Sequence, residues 1–249
     1  MSFIVVSVAS LAILVVVHGI TFLIGRRLGR YNVVDVTWGV GFVAVAAVCA
    51  AVGTGDLFRR LLLLALVAAW GLRLAWHMVG KQPEHSSRER SSAGRIFVVQ
   101  AAAGWFISLP LQLSAVLGPT PTALLPVLVA GVAVWLLGVV LETVGDHQLR
   151  RFKADPANKG VVMDRGLWGW TRHPNYFGDA CVWWGLWLVT LAGWISLLTV
   201  ASPALITYFL VHATGARLTE RQLAGRPGFN EYCSRTSFFI PTRPKLRLT

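Results

Sequence analysis

Most of the polar chemistry of the chain is concentrated between Glu142 and Asp179. Glu142 and Asp146 are spaced i,i+4, so a helix places both carboxylates on one face. Arg150 and Lys153 continue that face roughly one and two turns later. The stretch ends in a compact block of cations, an amide, a phenol and an acid, Arg172-His173-Pro174-Asn175-Tyr176-Phe177-Gly178-Asp179. This combination favours a binding site over a packed core.

The basic side chains of this stretch and of the tail suit a polyanionic ligand. Arginine matches phosphate bidentately, and lysine supplies a point charge. Asn175 offers both donors and an acceptor, and Tyr176 can stack on a planar ring. The phosphate-binding candidates are Arg150, Arg151, Lys153, Lys159, Arg172, Arg221 and Arg235.

Several common catalytic patterns are missing from the sequence. It contains no HExxH, no closed Cys/His set, no GxSxG, no GxxxxGK[ST] and no GxGxxG opening a strand–helix unit. His173 has no second histidine at ligand spacing, and the three cysteines form no CxxC pair. We therefore expect no metal site, and a cofactor held by side chains at the mouth of a helical bundle.

The composition is that of a membrane protein. Hydrophobic residues make up 55% of the 249 residues, and charged residues only 14%, against about 25% in soluble domains. The mean hydropathy is +0.61. The net charge of +12 fits a positive-inside bias. A spanning protein offers no continuous basic face for a duplex, so we expect membrane lipids and no nucleic acid as partners.

Apolar runs predict an all-α integral membrane protein of about seven transmembrane helices. The expected spans are 3–25, 36–55, 61–79, 96–117, 123–141 and two within 180–213. The fourth is broken at Pro110, the fifth continues into the Glu142 helix, and 80–95 is a polar loop. The basic loops all fall on one side of the membrane, which predicts an N-terminus outside and a C-terminus in the cytoplasm. The cofactor site is then expected on the cytosolic side, and the expected location is the bacterial inner membrane. Residues 1–249 form one membrane domain, with 1–117 on the substrate side and 118–249 on the cofactor side.

Charged residues within the spans have a structural and a functional interpretation. Arg59 and Arg60 run against the charge rule and are expected to snorkel to the interface. Asp35 forms a structural ion pair with Arg73 or takes part in catalysis, and both interpretations remain open.

Specific strings resemble the steroid 5-alpha-reductase superfamily, most closely its bacterial branch of seven-helix membrane proteins. GLWGWTRHPNYFGD followed by WWGLWL resembles the C-terminal signature of that superfamily. Supporting strings, in the same order along the chain, are VVDVTWG at 33–39, WGLRLAWH at 70–77, LETVGDHQLRRFKADPANKG at 141–160 and TSFFIP at 236–241. The resemblance implies an NADPH-dependent reductase of a carbon–carbon double bond conjugated to a carbonyl, in a steroid or other lipid.

The resemblance also implies roles for residues at matching positions. The cofactor-lining residues would be Asp146, Arg172, Asn175, Tyr176, Asp179, Glu220, Arg221, Tyr232 and Arg235, to which we add Lys153, Asn158, Lys159 and His173 of the same polar stretch. Steroid-reducing members polarise the carbonyl with a glutamate and a tyrosine from their N-terminal helices. The first four predicted spans here contain neither residue type, so Asp35, Trp76 or His77 would substitute.

Two alternatives remain open. RHPNYFG also resembles the motif of isoprenylcysteine carboxyl methyltransferases and phospholipid methyltransferases, which bind S-adenosylmethionine. The ADPANKG loop and the Asp146 helix favour the reductase. The second alternative is a non-catalytic lipid-binding or transport protein.

Overall fold

The computed structural model describes residues 2–28, 33–79, 87–213 and 215–244, with residues 33–35 and 87–93 described by their backbone alone. These residues fold almost entirely into helices. The α-helices are α1 Phe3–Leu28, α2 Val33–Val52, α3 Leu57–Val79, α4 Ser87–Ile107, α5 Leu109–Ser114, α6 Leu125–Ala154, α7 Pro174–Val189, α8 Ala201–Tyr208, α9 Ala216–Leu223 and α10 Phe229–Arg235. Short 3₁₀ turns cover Thr122–Leu124, Pro156–Asn158, Gly166–Gly169 and Trp194–Val200, and a π-helical turn covers Phe209–Ala213.

Within the described part of the chain, four helical segments are long and apolar enough to cross a membrane. They are Phe3–Leu28, Leu57–Val79, Thr122–Ala154 and Trp194–Leu223, and shorter apolar helices cover Val36–Val52 and Gly94–Ile107. Lengths near 20 apolar residues match the hydrocarbon thickness of a bilayer. The protein is therefore an all-α integral membrane protein, as the composition predicts.

Helix boundaries agree with most of the sequence punctuation. α5 begins at Leu109 with Pro110 in its first turn, so the predicted break of the fourth span is confirmed. α6 runs without interruption from Leu125 to Ala154, which confirms that the fifth span continues into the Glu142 helix. The predicted loop 80–95 is wrong in its second part, because α4 already begins at Ser87. Residues 80–86 lie outside the described residues.

The chain divides into two compact units, and the first comprises Met1–Val129 and Leu186–Ser202. Within it, α2 and α3 cross closely at two glycines. A Cβ on Gly39 would lie 2.4 Å from the carbonyl oxygen of Gly71. Only the missing side chains permit this approach, which is the usual role of small residues between membrane helices.

Arg59 in this first unit overturns a sequence prediction. Its side chain is 0% exposed, so it does not snorkel. Nε donates to Ser114 Oγ at 2.8 Å, and Nη1 donates to Thr120 Oγ1 at 2.9 Å. Nη2 donates to the carbonyl oxygens of Ser114, Leu117 and Gly118. The sequence could not reveal this role because the acceptors are supplied where α5 ends, more than 50 residues later.

The second unit comprises Ala130–Gly185 and Pro203–Thr249. In it α6 packs closely on α7 through glycines. A Cβ on Gly138 would lie 2.5 Å from the carbonyl oxygen of Gly178, and one on Gly178 would lie 2.7 Å from the backbone nitrogen of Glu142. The same close approach recurs at Gly185, where a Cβ would lie 2.5 Å from the backbone nitrogen of Trp135. This contact holds the polar end of α6 against the start of α7.

Candidate functional site

The close packing of α6 on α7 brings the acidic face of α6 to the RHPNY block. Glu142 and Asp146 are both buried, at 4% and 7% exposure. Asn175, in the first turn of α7, donates from Nδ2 to Asp146 Oδ1 at 3.2 Å. Pro174 begins α7, where its missing N–H is not needed. The two segments that the sequence singled out therefore meet through a carboxylate–amide pair.

This pair fixes the orientation of the Asn175 amide. With Nδ2 committed to Asp146, Oδ1 is the remaining acceptor. That oxygen is buried and has no hydrogen-bond partner among the described residues. A buried acceptor without a donor is unfavourable, so the site offers a position for a ligand that carries an N–H or O–H group.

Arg172 binds the C-terminal tail. Its Nε donates to Glu220 Oε1 at 2.6 Å, and its Nη1 donates to the carbonyl oxygens of Cys233 and Thr236 at 2.9 and 3.0 Å. Its backbone N–H donates to the carbonyl oxygen of Ser237 at 2.9 Å. Thr171 and Ser237 also form an isolated parallel bridge. Arg172 therefore fastens the tail across the RHP segment.

His173 shares the Glu220 carboxylate with Arg172. Its Nε2 lies 3.3 Å from Glu220 Oε1, and its ring stacks on Tyr176 at a centroid distance of 5.7 Å. Burial lowers the pKa of His173 to about 4, and this effect outweighs the opposing influence of Glu220. The imidazole is therefore neutral near pH 7. Nε2 carries the proton that it donates to the carboxylate, which leaves Nδ1 as an acceptor.

Tyr232 and Arg235 hold the tail to the segment that precedes Arg172. Tyr232 is 3% exposed, and its hydroxyl donates to the carbonyl oxygen of Trp168 at 2.6 Å. Burial raises the pKa of this phenol well above its usual range. Arg235 forms an ion pair with Asp164 through Nη2. Both side chains are thus engaged with the protein rather than directed to solvent.

Phe238 lies at the centre of the cationic part of the site. The guanidinium carbons of Arg172 and Arg217 lie 5.4 and 5.8 Å from its ring centroid. His173 meets the same ring edge to face at 5.5 Å. Cations over an aromatic face are attracted by its quadrupole. Phe238 therefore contributes to holding the tail in place.

The loop after α6 supplies exposed lysines from an ordered turn. Asp155 accepts from the backbone nitrogen of Ala157 at 2.9 Å and so caps the turn. Asn158 donates from Nδ2 to the carbonyl oxygen of Phe152 at 2.9 Å, so this side chain closes the loop back on α6. Lys153 and Lys159 are exposed and their charges are available to a phosphate.

The remaining predicted cofactor residues occupy different environments. Asp179 is buried on α7, at 9% exposure. Arg221 is exposed on α9, whereas Glu220 beside it turns inward to Arg172 and His173. Among the described residues, no group of three or more His, Cys, Asp or Glu side chains could hold a metal ion.

The three predicted catalytic residues belong to the first unit, and the predicted cofactor residues to the second. Trp76 is 81% exposed on α3, and His77 is half-buried next to it. The side chain of Asp35 lies outside the described residues, and with it the expected pair with Arg73.

Sequence reasoning missed the sharing of one carboxylate by Arg172 and His173, and the bonds from Tyr232 and Arg235 to residues 164–168. A signal for the packing of α6 on α7 was present. Gly131, Gly138 and Gly145 recur every seven residues, as do Gly178 and Gly185. That period marks one face of a helix packed closely on another.

Comparison with known proteins gives the family. The model of a family described as "Protein of unknown function (DUF1295)" matches residues 21–236. The chain is also similar to proteins named 3-oxo-5-alpha-steroid 4-dehydrogenase 1 from Mus musculus and from Rattus norvegicus, with 36% identity over 70 residues in each case. That match covers 28% of this chain and 26% of each relative, so the chain spans about a quarter of the length of the curated relatives it matches. No solved structure matches. Because the family model covers most of the chain, and the similarity to the steroid dehydrogenases agrees with it, the protein belongs to the DUF1295 family of the steroid 5-alpha-reductase superfamily.

Proposed function

We propose that this protein is an NADPH-dependent membrane reductase of a conjugated carbon–carbon double bond in a steroid-like or other lipid. The observation that carries the proposal is the constellation of Arg172, His173 and Glu220 beside the Asp146–Asn175 pair. It joins the RHPNY block, the acidic face of α6 and the tail. Family membership and the similarity to two steroid 4-dehydrogenases support a reductase-like activity.

The residues present fit a phosphate-bearing dinucleotide. Exposed basic side chains surround the polar end of α6, and they suit phosphate recognition. These side chains are Arg150, Arg151, Lys153, Lys159 and Arg165. The buried Oδ1 of Asn175, without a partner among the described residues, suits a carboxamide N–H or a ribose hydroxyl. Asp146 fixes the amide by accepting from Nδ2, which leaves that oxygen as the acceptor.

When bound, NADPH supplies a hydride to the β carbon of the double bond, and a proton from the protein or from water completes the saturated product at the α carbon. The neutral His173 holds no positive charge next to this chemistry, because its pKa lies near 4. Glu220 keeps the imidazole in the tautomer protonated at Nε2. Polarisation of the substrate carbonyl is assigned to Asp35, Trp76 or His77 of the N-terminal helices.

We further propose seven membrane spans with the cofactor site on the cytosolic side of a bacterial inner membrane. The spans would be α1, α2, α3, α4 with α5, α6, α7 and the helical segment 194–213. Basic residues at the ends of α1 and α6 and at Arg95 would then share the cytosolic side, with the N-terminus outside. The division into a substrate half, 1–117, and a cofactor half, 118–249, stays a prediction.

The test is a comparison of NADPH with S-adenosylmethionine on the purified protein in lipid nanodiscs. We expect NADPH to raise the midpoint of thermal unfolding, because a ligand that binds the folded state stabilises it. A rise with S-adenosylmethionine alone would replace the reductase with a methyltransferase. A protein that responds to neither, and that co-purifies with lipid, would instead be a lipid-binding or transport protein.

A further inference from the structure

Two exposed apolar residues are held close together in the second unit, where the tail crosses the segment before α7. Trp170 is 50% exposed and Ile240 is 64% exposed. The backbone brings them together, because the N–H of Thr242, two residues after Ile240, donates to the carbonyl oxygen of Trp170 at 3.0 Å. Single exposed apolar residues are common, but a half-exposed tryptophan beside an exposed isoleucine favours contact with an apolar phase.

Packing within the second unit sets the level of Trp170 along α6 and α7. α7 begins at Pro174, four residues after Trp170. A Cβ on Gly145 would lie 3.3 Å from Pro174 Cγ, and Trp168 Nε1 donates to the carbonyl oxygen of Gly145 at 3.0 Å. The start of α7 and the segment that contains Trp170 are therefore level with Gly145 of α6.

The exposed face of α6 changes character at that same level. Before Gly145 its exposed side chains include Val140 and Val144, at 48% and 38% exposure. After Gly145 they include His147 and Arg151, which continue the same face at helical spacing. With α6 and α7 as membrane spans, this change from apolar to cationic side chains marks the bilayer surface, the depth at which tryptophan is enriched.

The tail beside Trp170 is basic. After Glu231 the sequence contains no aspartate or glutamate, and its lysines and arginines are Arg235, Arg243, Lys245 and Arg247. Arg235 pairs with Asp164, whereas Arg243 directly follows Thr242 and is exposed. Lys245 and Arg247 lie outside the described residues. Apolar side chains beside cations complement anionic lipid headgroups, which hold negative phosphates over hydrocarbon.

We infer that Trp170, Ile240 and Arg243 form a docking surface for the anionic phospholipid headgroups of the cytosolic leaflet. Trp170 and Ile240 enter the boundary between headgroups and acyl chains, and Arg243 binds lipid phosphate. This contact helps to hold the tail segment that Arg172 binds. The docking requires the proposed span α7 and its proposed cytosolic start, but it does not require reductase activity.

Hydrogen–deuterium exchange of the full chain in nanodiscs, without NADPH, tests this docking surface. Discs of phosphatidylcholine are compared with discs in which about a quarter of the lipid is phosphatidylglycerol. The reporter is the Thr242 amide, whose exchange requires release of the tail from Trp170. We expect phosphatidylglycerol to slow this exchange about tenfold in wild type, because binding to the closed tail opposes its release. High salt should remove the effect by screening the charges.

Variants separate this surface from a general attraction of charges. Arg243→Gln should reduce the slowing by about fivefold, the value of one basic residue at an anionic surface. Ile240→Ser keeps the charge and should reduce the slowing by about threefold or more, because less apolar area enters the bilayer. Arg226→Gln is the matched control. It removes an exposed arginine elsewhere in the tail and should keep the wild-type slowing.

Equal exchange in the two kinds of disc, or an equal reduction in Arg226→Gln and Arg243→Gln, would overturn the docking surface. An anionic surface also lowers the local pH and so slows exchange by itself. A slowing that survives intact in both Arg243→Gln and Ile240→Ser is that general effect, and it would overturn the docking surface as well. Unchanged exchange of the α6 and α7 amides verifies the fold of each variant. Failure of NADPH to bind in a separate titration would count only against the proposed reductase.

Discussion

Two arginines, Arg59 in the first unit and Arg172 in the second, each donate several hydrogen bonds to residues distant in the chain. All three side-chain nitrogens of Arg59 donate to hydroxyl or carbonyl oxygens of residues 114–120. Arg172 also donates to two carbonyl oxygens, but its Nε pairs with a carboxylate that His173 shares. The Arg172 and Glu220 side chains keep 13% and 21% exposure, whereas Arg59 keeps none.

The difference distinguishes a structural arginine from one in a site. The Arg59 guanidinium donates to neutral oxygens and has no access to solvent, so it holds the start of α3 to the end of α5. Arg172 belongs to a partly accessible group of ionisable side chains, where a ligand can compete or cooperate. His173 is the member of this group whose pKa is shifted, and a perturbed group of this kind beside charged partners is typical of functional sites.

The largest expected effect is on Arg59. Arg59→Ala removes the hydrogen bonds to two hydroxyls and three carbonyls of residues 114–120, and should destabilise the protein by roughly 3–5 kcal/mol. The carbonyls of Ser114 and Leu117 keep one backbone donor each. The midpoint of thermal unfolding in detergent measures this. Arg60→Ala is the matched control, because Arg60 Nη1 makes a single hydrogen bond, to the carbonyl oxygen of Ala50, and should cost about 1 kcal/mol. Equal losses in the two variants would contradict the structural role of Arg59.

Arg172→Ala should change binding more than folding. The variant loses the ion pair with Glu220 and the hydrogen bonds to two tail carbonyls, so the tail is released from the RHP segment. We therefore expect NADPH affinity to fall by about a hundredfold. Arg172→Lys should not restore it, since a single ammonium group cannot reproduce the fork that reaches all three acceptors. Isothermal titration measures the affinity.

Arg226→Ala is the control for that experiment. Arg226 is an exposed arginine of the tail, and its loss removes the same formal charge. NADPH affinity that falls equally in Arg226→Ala would mean that net charge, and not the geometry around Arg172, governs binding.

Local sequence patterns predicted the structural features that depend on residues close together in the chain. The i,i+4 carboxylates of α6, the break at Pro110 and the start of α7 at Pro174 all follow from one or two turns of chain. The burial of Arg59 and the fastening of the tail do not. Arg172 and Glu220 are separated by 48 residues, and Tyr232 and Trp168 by 64. Their meeting depends on how the helices pack, which a charge rule or a spacing rule does not contain.

The neutral state of His173 makes the second unit sensitive to acid. Its pKa is about 4 in the folded protein, against an ordinary value of 6.5. Between these values the unfolded chain binds more protons, so the stabilisation is complete above pH 6.5 and falls as the pH is lowered towards 4. Glu220 and Arg172 face the ring with opposite effects, but burial dominates. We expect a loss of about 2 kcal/mol between pH 7 and pH 5.

Thermal unfolding midpoints across this pH range test the effect. His173→Gln should flatten the profile between pH 6.5 and 4 relative to wild type. His147→Gln changes an exposed histidine on α6 and should keep the wild-type profile. If His173→Gln retains the same acid dependence, the titrating group lies elsewhere.

Tyr232 gives the smallest effect and the sharpest distinction between positioning the tail and contacting the cofactor. Tyr232→Phe removes only the hydroxyl that donates to the carbonyl oxygen of Trp168, because the ring itself is buried. A positioning role predicts a loss of about 1 kcal/mol in stability, with NADPH affinity changed by less than about threefold. A direct contact with the cofactor predicts the reverse, an affinity loss of about tenfold with an unchanged unfolding midpoint. The hydroxyl already has a backbone acceptor at 2.6 Å, so we expect the first result. Tyr232 would then position the tail that Arg172 binds, and the cofactor would be contacted by Asn175 and the basic side chains around α6.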